Sequence, residues 1–453
     1  MPARKTSWST SWAIVLILLV LSLAELFVRG PVRFARSSDF NDFISPYIQT
    51  RAWMQGLDPY SPRNLVALWP EGLQRFDFLN KDLADGSLIL KRGIPTAYPP
   101  TALVLLAPFA SLPYRVAHAV WLLTSLLACV GAVFALASVA RFRRDEKRTY
   151  VFLAIAFALA PFHTGLAAGS IVIVAVGACA VAVWAAARNR DFTAGILLAV
   201  ATGLKPQIGL PFVLFYFLRR RFRVAGIAVT LVAILAVTSL LFLWMNHVPW
   251  LDNYRSDNRI LFARGSLGDF TEQNPIRFSL IDLEVLLYTF IPDRSLSTVL
   301  AMGLSGAAGI LWLLCFRSRD SGENELLAIG ALVVLSLLPV YHRLYDASLL
   351  IFPLAWSLTA WRGNLKTQAR VTFILILCFL IPGGSALERL QHSSYIPQLQ
   401  QSWFWVHFVL PHQIWVLVLL SATLLVAMRR SRVLEGNRLP SRTPAHDTIA
   451  LEA

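Results

Sequence analysis

Apolar runs of about 20 residues, parted by short polar gaps, recur along most of this chain, and a helix of that length crosses a hydrocarbon core of roughly 30 Å. Such runs predict spans at 12–28, 115–140, 150–164, 168–187, 224–245, 296–316, 326–340, 345–361, 371–385 and 403–428. Two stretches break the pattern. The run 99–112 is bounded by Pro99–Pro100 and by Leu112–Pro113 and is too short to cross alone, so it reads as a re-entrant or interfacial pair of half-helices. The stretch 193–218 begins and ends on basic gaps yet carries Lys205–Pro206 at its middle. Proline removes a helix hydrogen bond and disfavours helix at the residue before it, which predicts two short arms meeting near Lys205. The fold expected is all-α, a polytopic transmembrane helical bundle of about 12 spans with short re-entrant or broken helices, filling residues 1–428. Long polar segments at 29–97 and 246–294 form a first and a second outer loop, and the polar stretch 429–453 reads as a disordered cytoplasmic tail.

Composition agrees with that pattern. Of 453 residues 56% are hydrophobic and only 15% charged, far less charge than a soluble enzyme of this size would interleave. The net charge of +15 raises the question of nucleic acid, and the placement of the cations answers it. They sit in the short gaps: Arg141, Arg143, Arg144, Lys147 and Arg148; Arg188 and Arg190; Arg219, Arg220, Arg221 and Arg223; Arg317 and Arg319; Arg362, Lys366 and Arg370; Arg429, Arg430 and Arg432. That is the positive-inside signature, with no basic face or reading motif for a nucleic acid. It puts both termini in the cytoplasm of a multi-pass plasma-membrane protein. The first run follows Arg4 and Lys5 and offers a small-x-small pattern at Ser22 and Ala24, but it reads as an uncleaved span, because the later charges need no removal. Cys129, Cys179, Cys315 and Cys378 lie inside apolar runs without metal-ligand spacing, so neither a zinc site nor a disulfide framework is expected.

Polar residues embedded in a membrane protein are costly, so their positions carry information. With the basic gaps held on one side, the unusual ones gather on the other. Asp39 and Asp42 follow the first span; Tyr98, His163, Lys205, His342, Arg343 and Asp346 sit at outer ends or bends; the second loop adds Asp252, Asp257, Arg259, Arg264, Asp269 and Glu272. A carboxylate able to act as a general base and cations able to meet a phosphate therefore share one face. Each also has a plainer reading: a solvated acid or cap for Asp39 or Asp42, a snorkelling side chain for Lys205, a packing residue for His163.

Several blocks on that face resemble a known family. Asp42–Phe43, Tyr47 and Gly56–Leu57–Asp58–Pro59–Tyr60, then Tyr98–Pro99–Pro100 with Pro108, Leu204–Lys205–Pro206–Gln207 and Tyr341–His342–Arg343–Leu344–Tyr345–Asp346 resemble the GT-C class of polyprenyl-phosphate-dependent glycosyltransferases. The nearest resemblance is to glycosyltransferase family 87, the bacterial alpha-mannosyltransferase-like membrane proteins. It covers roughly residues 12–428 and implies transfer of a hexose or pentose from a polyprenyl-phosphate-linked donor to a lipid or glycan acceptor on the extracytoplasmic face. Inversion is usual in the class, and no cofactor and often no metal is used. The essential aspartate of the family lies in the first outer loop, where Asp42 takes its place and Asp39 is the alternative. Pro46 departs from the pattern and leaves the register of that short helix open. Lys205, Arg343 and His342 are then the candidates for the donor phosphate, and Tyr47, Tyr60, Tyr98, His163 and Asp346, with Trp53, for sugar or acceptor. Gly56 and Pro59 are expected to turn the loop over the cavity. Two rivals stand beside this reading, a lipid-linked sugar transporter or flippase and an O-antigen polymerase or ligase-like enzyme. The spans are almost free of charge except at their outer ends, Glu25 excepted, and no internal repeat is visible, both against transport.

Overall fold

In the computed structural model, residues 10–36, 41–71, 73, 98–317, 322–381, 383, 384, 386, 387 and 402–436 are described. Among them every regular element is a helix. The first, α1 (Thr10–Phe27), does not end where the apolar run ends. A π-helical turn (Val28–Val32) and α2 (Arg33–Arg36) continue it. Pro31 lies inside that turn, and its missing N–H favours the widened turn over a regular one. Glu25 is accounted for locally by an ion pair of 2.6 Å with Arg29 one turn on.

The first outer loop holds α3 (Ile44–Met54) and α4 (Pro62–Ala67). Pro46 falls in the first turn of α3, where an N–H would have no helical partner, so it does not interrupt the helix. Next come α5 (Pro100–Ala110) and α6 (Tyr114–Val139); α7 (Lys147–Ala158) and α8 (Ala160–Ala168), which meet at a 42° bend; and α9 (Ile171–Ala187). The bend sits at Leu159, in extended backbone two residues before Pro161.

The broken hairpin expected around Lys205 is present. Helices α10 (Asp191–Leu204) and α11 (Pro206–Leu218) meet at Lys205, whose φ of −146° and ψ of 94° are extended. Gly209 lets the two arms close on each other: a Cβ there would come within 2.5 Å of the Thr202 backbone nitrogen. Both arms start from the basic gaps, and 14 residues at 1.5 Å each carry Lys205 about 20 Å away from them.

The rest of the bundle is α12 (Phe222–Met245), α13 (Trp250–Leu261) and α14 (Leu283–Phe290) of the second outer loop, α15 (Arg294–Cys315), α16 (Glu323–Ser336), a 3₁₀ segment (Leu344–Leu350) leading into α17 (Ile351–Thr359), α18 (Lys366–Leu377) and α19 (His412–Gly436). That last helix runs beyond residue 428, so the polar tail begins as helix rather than disorder. Among the described residues, five helices are individually long and apolar enough to cross a membrane, and the bent α7–α8 pair makes up to six. The shorter α9, the hairpin arms and Leu344–Thr359 fall below that length. The protein is an all-α polytopic membrane protein.

The basic gaps are gathered at one end of the bundle by their own contacts. Arg188 donates to Ser138 Oγ at 3.0 Å, Arg221 to Ala186 O at 2.6 Å, and Arg221 also pairs with Asp191. Arg219 lies 3.9 Å from Glu325 at the start of α16, and Ser431 bonds Asn324 at 2.9 Å. The candidate residues lie toward the other end of α16, whose 14 residues span about 20 Å.

Candidate active site

Asp42 stands where the chain turns from the first helix into α3. Its N–H donates to Ala168 O at 2.7 Å, which ties it to the last turn of α8. The neighbouring Asn41 side chain accepts from the N–H groups of Phe43 and Ile44 at 3.1 and 3.2 Å and so closes the start of α3. Burial pushes the Asp42 carboxyl above the usual carboxylate range. Arg343, the Tyr345 hydroxyl and Lys205 draw it back, in that order. Asp39, the alternative base, lies outside the described residues.

The cations arrive from segments more than a hundred residues away. Lys205, at the tip of the hairpin, reaches Asp346 Oδ1 at 2.6 Å and lies over the Tyr345 ring. Asp346 Oδ2 also meets His342 Nδ1 at 3.0 Å and accepts from the Arg343 backbone N–H at 2.9 Å. Three bonds on a fully buried carboxylate make Asp346 the fastener of this corner. His342 is fully buried as well, with its second ring nitrogen 3.0 Å from Ser336 O, so both ring nitrogens have partners.

Arg343 is different. Its Nε donates to Tyr341 Oη at 2.7 Å, while Nη2 is buried with no hydrogen-bond partner among the described residues. The second outer loop braces its backbone through an isolated antiparallel bridge between Leu280 and Arg343 and a 3.0 Å bond from Ile281 N to His342 O. Nothing in the hydropathy pattern announces this brace. Its only local trace is Asp282, which caps α14 by accepting from Val285 N at 3.3 Å.

Of the aromatic candidates, Tyr98 joins the group. Burial and the charge of Asp42 push its hydroxyl well above the usual tyrosine value, so it stays protonated and can donate. Tyr60 is fully buried beneath it, reaching Tyr98 O at 3.3 Å and packing against Trp250 and Tyr254 of α13. It supports Tyr98 from below. Tyr47 is packed away from the group altogether, because its ring fills a core with Phe43 and Tyr114 and its hydroxyl donates to Leu112 O at 2.8 Å. Trp53 is likewise core, with its indole N–H on Ser239 O at 3.3 Å. His163 lies on α8 beside Arg29 and Arg33 and is not among the electrostatic neighbours of Asp42. Gly56 does form the turn, with φ of +69° and no room for a side chain against Asn246. Two acids of the second loop act as staples: Asp269 holds Gly265 N and Thr271, and Glu272 accepts from Tyr288 at 2.5 Å.

Beside this corner a groove of about 770 Å³ opens sideways between α11, α12 and α16, lined by Leu210, Leu214, Phe217, Phe222 and Val229, all about half exposed. Its polar residues are Gln207, two positions after Lys205, and Ser336, whose carbonyl holds His342. A carboxylate, a protonated phenol, a lysine and an underused guanidinium thus meet at the head of an apolar groove. That set can take a proton from a hydroxyl and bind an anion carried on a hydrocarbon chain. Among families of known proteins, the model of glycosyltransferase family 87 matches residues 96–340, just over half of the chain. No curated protein and no solved structure matches.

Proposed function

Because this chain belongs to glycosyltransferase family 87 and is a helical membrane protein, we propose that it moves a hexose or pentose from a polyprenyl-phosphate donor to a lipid or glycan acceptor on the extracytoplasmic face. Asp42 is the general base. It takes the proton of the acceptor hydroxyl as that oxygen bonds to the anomeric carbon, and the bond from that carbon to the phosphate oxygen breaks with its electron pair left on the phosphate. Arg343 meets the developing phosphate charge through its unpartnered Nη2, and Lys205 adds field from behind Tyr345 while remaining fastened to Asp346. Tyr98 donates to the sugar. The groove takes the prenyl chain, whose isoprene units need apolar contact and no hydrogen bonds.

One observation carries the reading: a buried guanidinium nitrogen with no hydrogen-bond partner among the described residues stands near Asp42, by the head of a groove open to lipid. A buried donor left unpaired costs about 1–3 kcal/mol, a cost that a phosphate oxygen would remove. The test is sugar transfer by reconstituted protein, offered a panel of radiolabelled polyprenyl-phosphate sugars and membrane-lipid acceptors, wild type against Asp42→Asn. Transfer by the wild type that falls about 10²–10⁴-fold in the variant is expected for loss of a general base. Undiminished transfer in Asp42→Asn would remove Asp42 from the reaction, and no transfer with any donor would count against the donor class.

A further inference from the structure

Asp58 and Asp257 are buried acids of the two outer loops that the proposed reaction does not use, 8% and 2% exposed. They belong to the seam where the turn after α3 docks on α13. Asn253 Nδ2 donates to Asp58 Oδ2 at 2.6 Å, and the Tyr60 ring packs 4.9 Å from Tyr254 and 6.1 Å from Trp250. Asp257 follows Asn253 by four residues, so the two side chains leave the same face of α13, about 5–6 Å apart at Cβ. The Asp257 carboxyl therefore lies on the buried seam beside Asp58. Its Oδ2 is enclosed there with no hydrogen-bond partner among the described residues.

A buried carboxylate needs a cation or several donors, and the two acids differ in this. Asp58 accepts from Asn253 and from the Tyr60 backbone N–H at 2.9 Å. The groups around the pair are Tyr60 of the same turn, Asn64 of α4 on the Asp58 carbonyl at 3.1 Å, Asn246 at the end of α12 against Gly56, and Asn253 and Tyr254 of α13. The arginines of α13 turn away: Arg255 is 60% exposed and lies 3.8 Å from Asp252, and Arg259 is exposed too. Among the described residues no Lys, Arg or His acts on either acid, and the charge that faces Asp257 is Asp58 itself. Two carboxylates in one buried site cannot both keep their charge.

We propose that one proton held between Asp257 and Asp58 latches the second outer loop to the first, and that its loss to solvent loosens the seam. Asp257 carries the proton. Burial, and then the charge of Asp58, push its carboxyl up to about 8, while the donors on Asp58 draw that one back toward the usual range. A value raised by folding means that the latch is fully closed below the ordinary carboxylate range. Its contribution to stability drains away as pH rises toward about 8 and is level beyond that. Tyr60 reaches the Tyr98 carbonyl from this seam at 3.3 Å, so an open latch also frees Tyr98. That consequence for transfer rests on the proposed function; the latch does not.

The test is the melting temperature of the full chain in detergent, followed from about pH 5 to about pH 9, with and without added calcium. Asparagine has nearly the shape of a protonated aspartate and cannot ionise. Asp257→Asn is therefore expected to match the wild type near pH 5 and to melt about 2–4 °C above it beyond pH 8. Asp58→Asn reads the same proton from the other side: with that charge gone, the fall in wild-type stability should move to lower pH. Asp252→Asn, whose side chain is 95% exposed, should keep the wild-type profile. An Asp257→Asn chain that melts below the wild type by one margin at every pH would mark an ordinary ionised acid and overturn the latch. So would a profile that Asp58→Asn leaves unmoved. Calcium that raises melting of the wild type but not of Asp257→Asn would put a cation in the seam in place of the proton, and overturn it as well. Melting is read without turnover, so these outcomes are separate from failure of the proposed transfer.

Discussion

Burial raises the Asp42 carboxyl, and that sets the pH at which it can accept a proton. The acidic limb of transfer activity is expected above the ordinary carboxylate range, since base is lost as pH falls through the raised value. Tyr345 is one of the groups that lower it, so Tyr345→Phe should move that limb to still higher pH, as a pH–rate profile would read. The two cations should separate by what else they hold. Lys205 neutralises a fully buried Asp346, and breaking a buried pair by removing one partner costs about 3–5 kcal/mol. Lys205→Ala should therefore lower the melting temperature as well as activity, and adding Asp346→Asn should restore stability in part. Arg343→Gln breaks no hydrogen-bonded ion pair, though it takes away the charge that most draws the Asp42 carboxyl down. It should cost about 10²–10³-fold in turnover, as for other preorganised charge-stabilising donors, with a smaller loss of thermal stability.

At the scale of elements, the α10–α11 hairpin is what brings a lysine to the site without a full crossing. Its closure depends on Gly209, because any side chain there meets the Thr202 backbone. Gly209→Ala should splay the arms and destabilise by about 1–3 kcal/mol, the usual cost of overpacking. Activity should fall through misplacement of Lys205 and Asp346, and both losses would be visible in one preparation by melting and turnover. The hairpin was legible in the sequence because Lys205–Pro206 breaks an apolar run that starts and ends on basic gaps. The continuation of the first helix to Arg36 was not, since Pro31 and Arg29 read locally as an exit from the membrane while the chain keeps its helix by widening one turn.

For the whole molecule, the convergence of the basic gaps at one end and of the candidate site toward the other predicts sidedness. Cysteine placed at Arg255 on α13 should be labelled by an impermeant maleimide in intact cells, and cysteine at Arg143 only after permeabilisation, in a background lacking the four native cysteines. The reverse pattern would put the site on the cytoplasmic side. What the sequence determined by itself was the all-helical membrane fold, the break at Pro206, the gathering of cations, and the positions from which Asp42, Lys205, Arg343 and Tyr98 come. These are short-range matters of hydrophobic run length, missing N–H groups and charge placement. Tertiary structure alone decided which of the polar groups are spent on each other. Asp346 fastens Lys205 across 141 positions of chain and holds His342, Tyr47 is taken by a core bond to Leu112, and the second loop braces Arg343 through Leu280. The physical reason is that a hydrogen-bonding group is committed by whatever packing brings within about 3 Å of it, and packing joins residues whose separation in sequence carries no pattern.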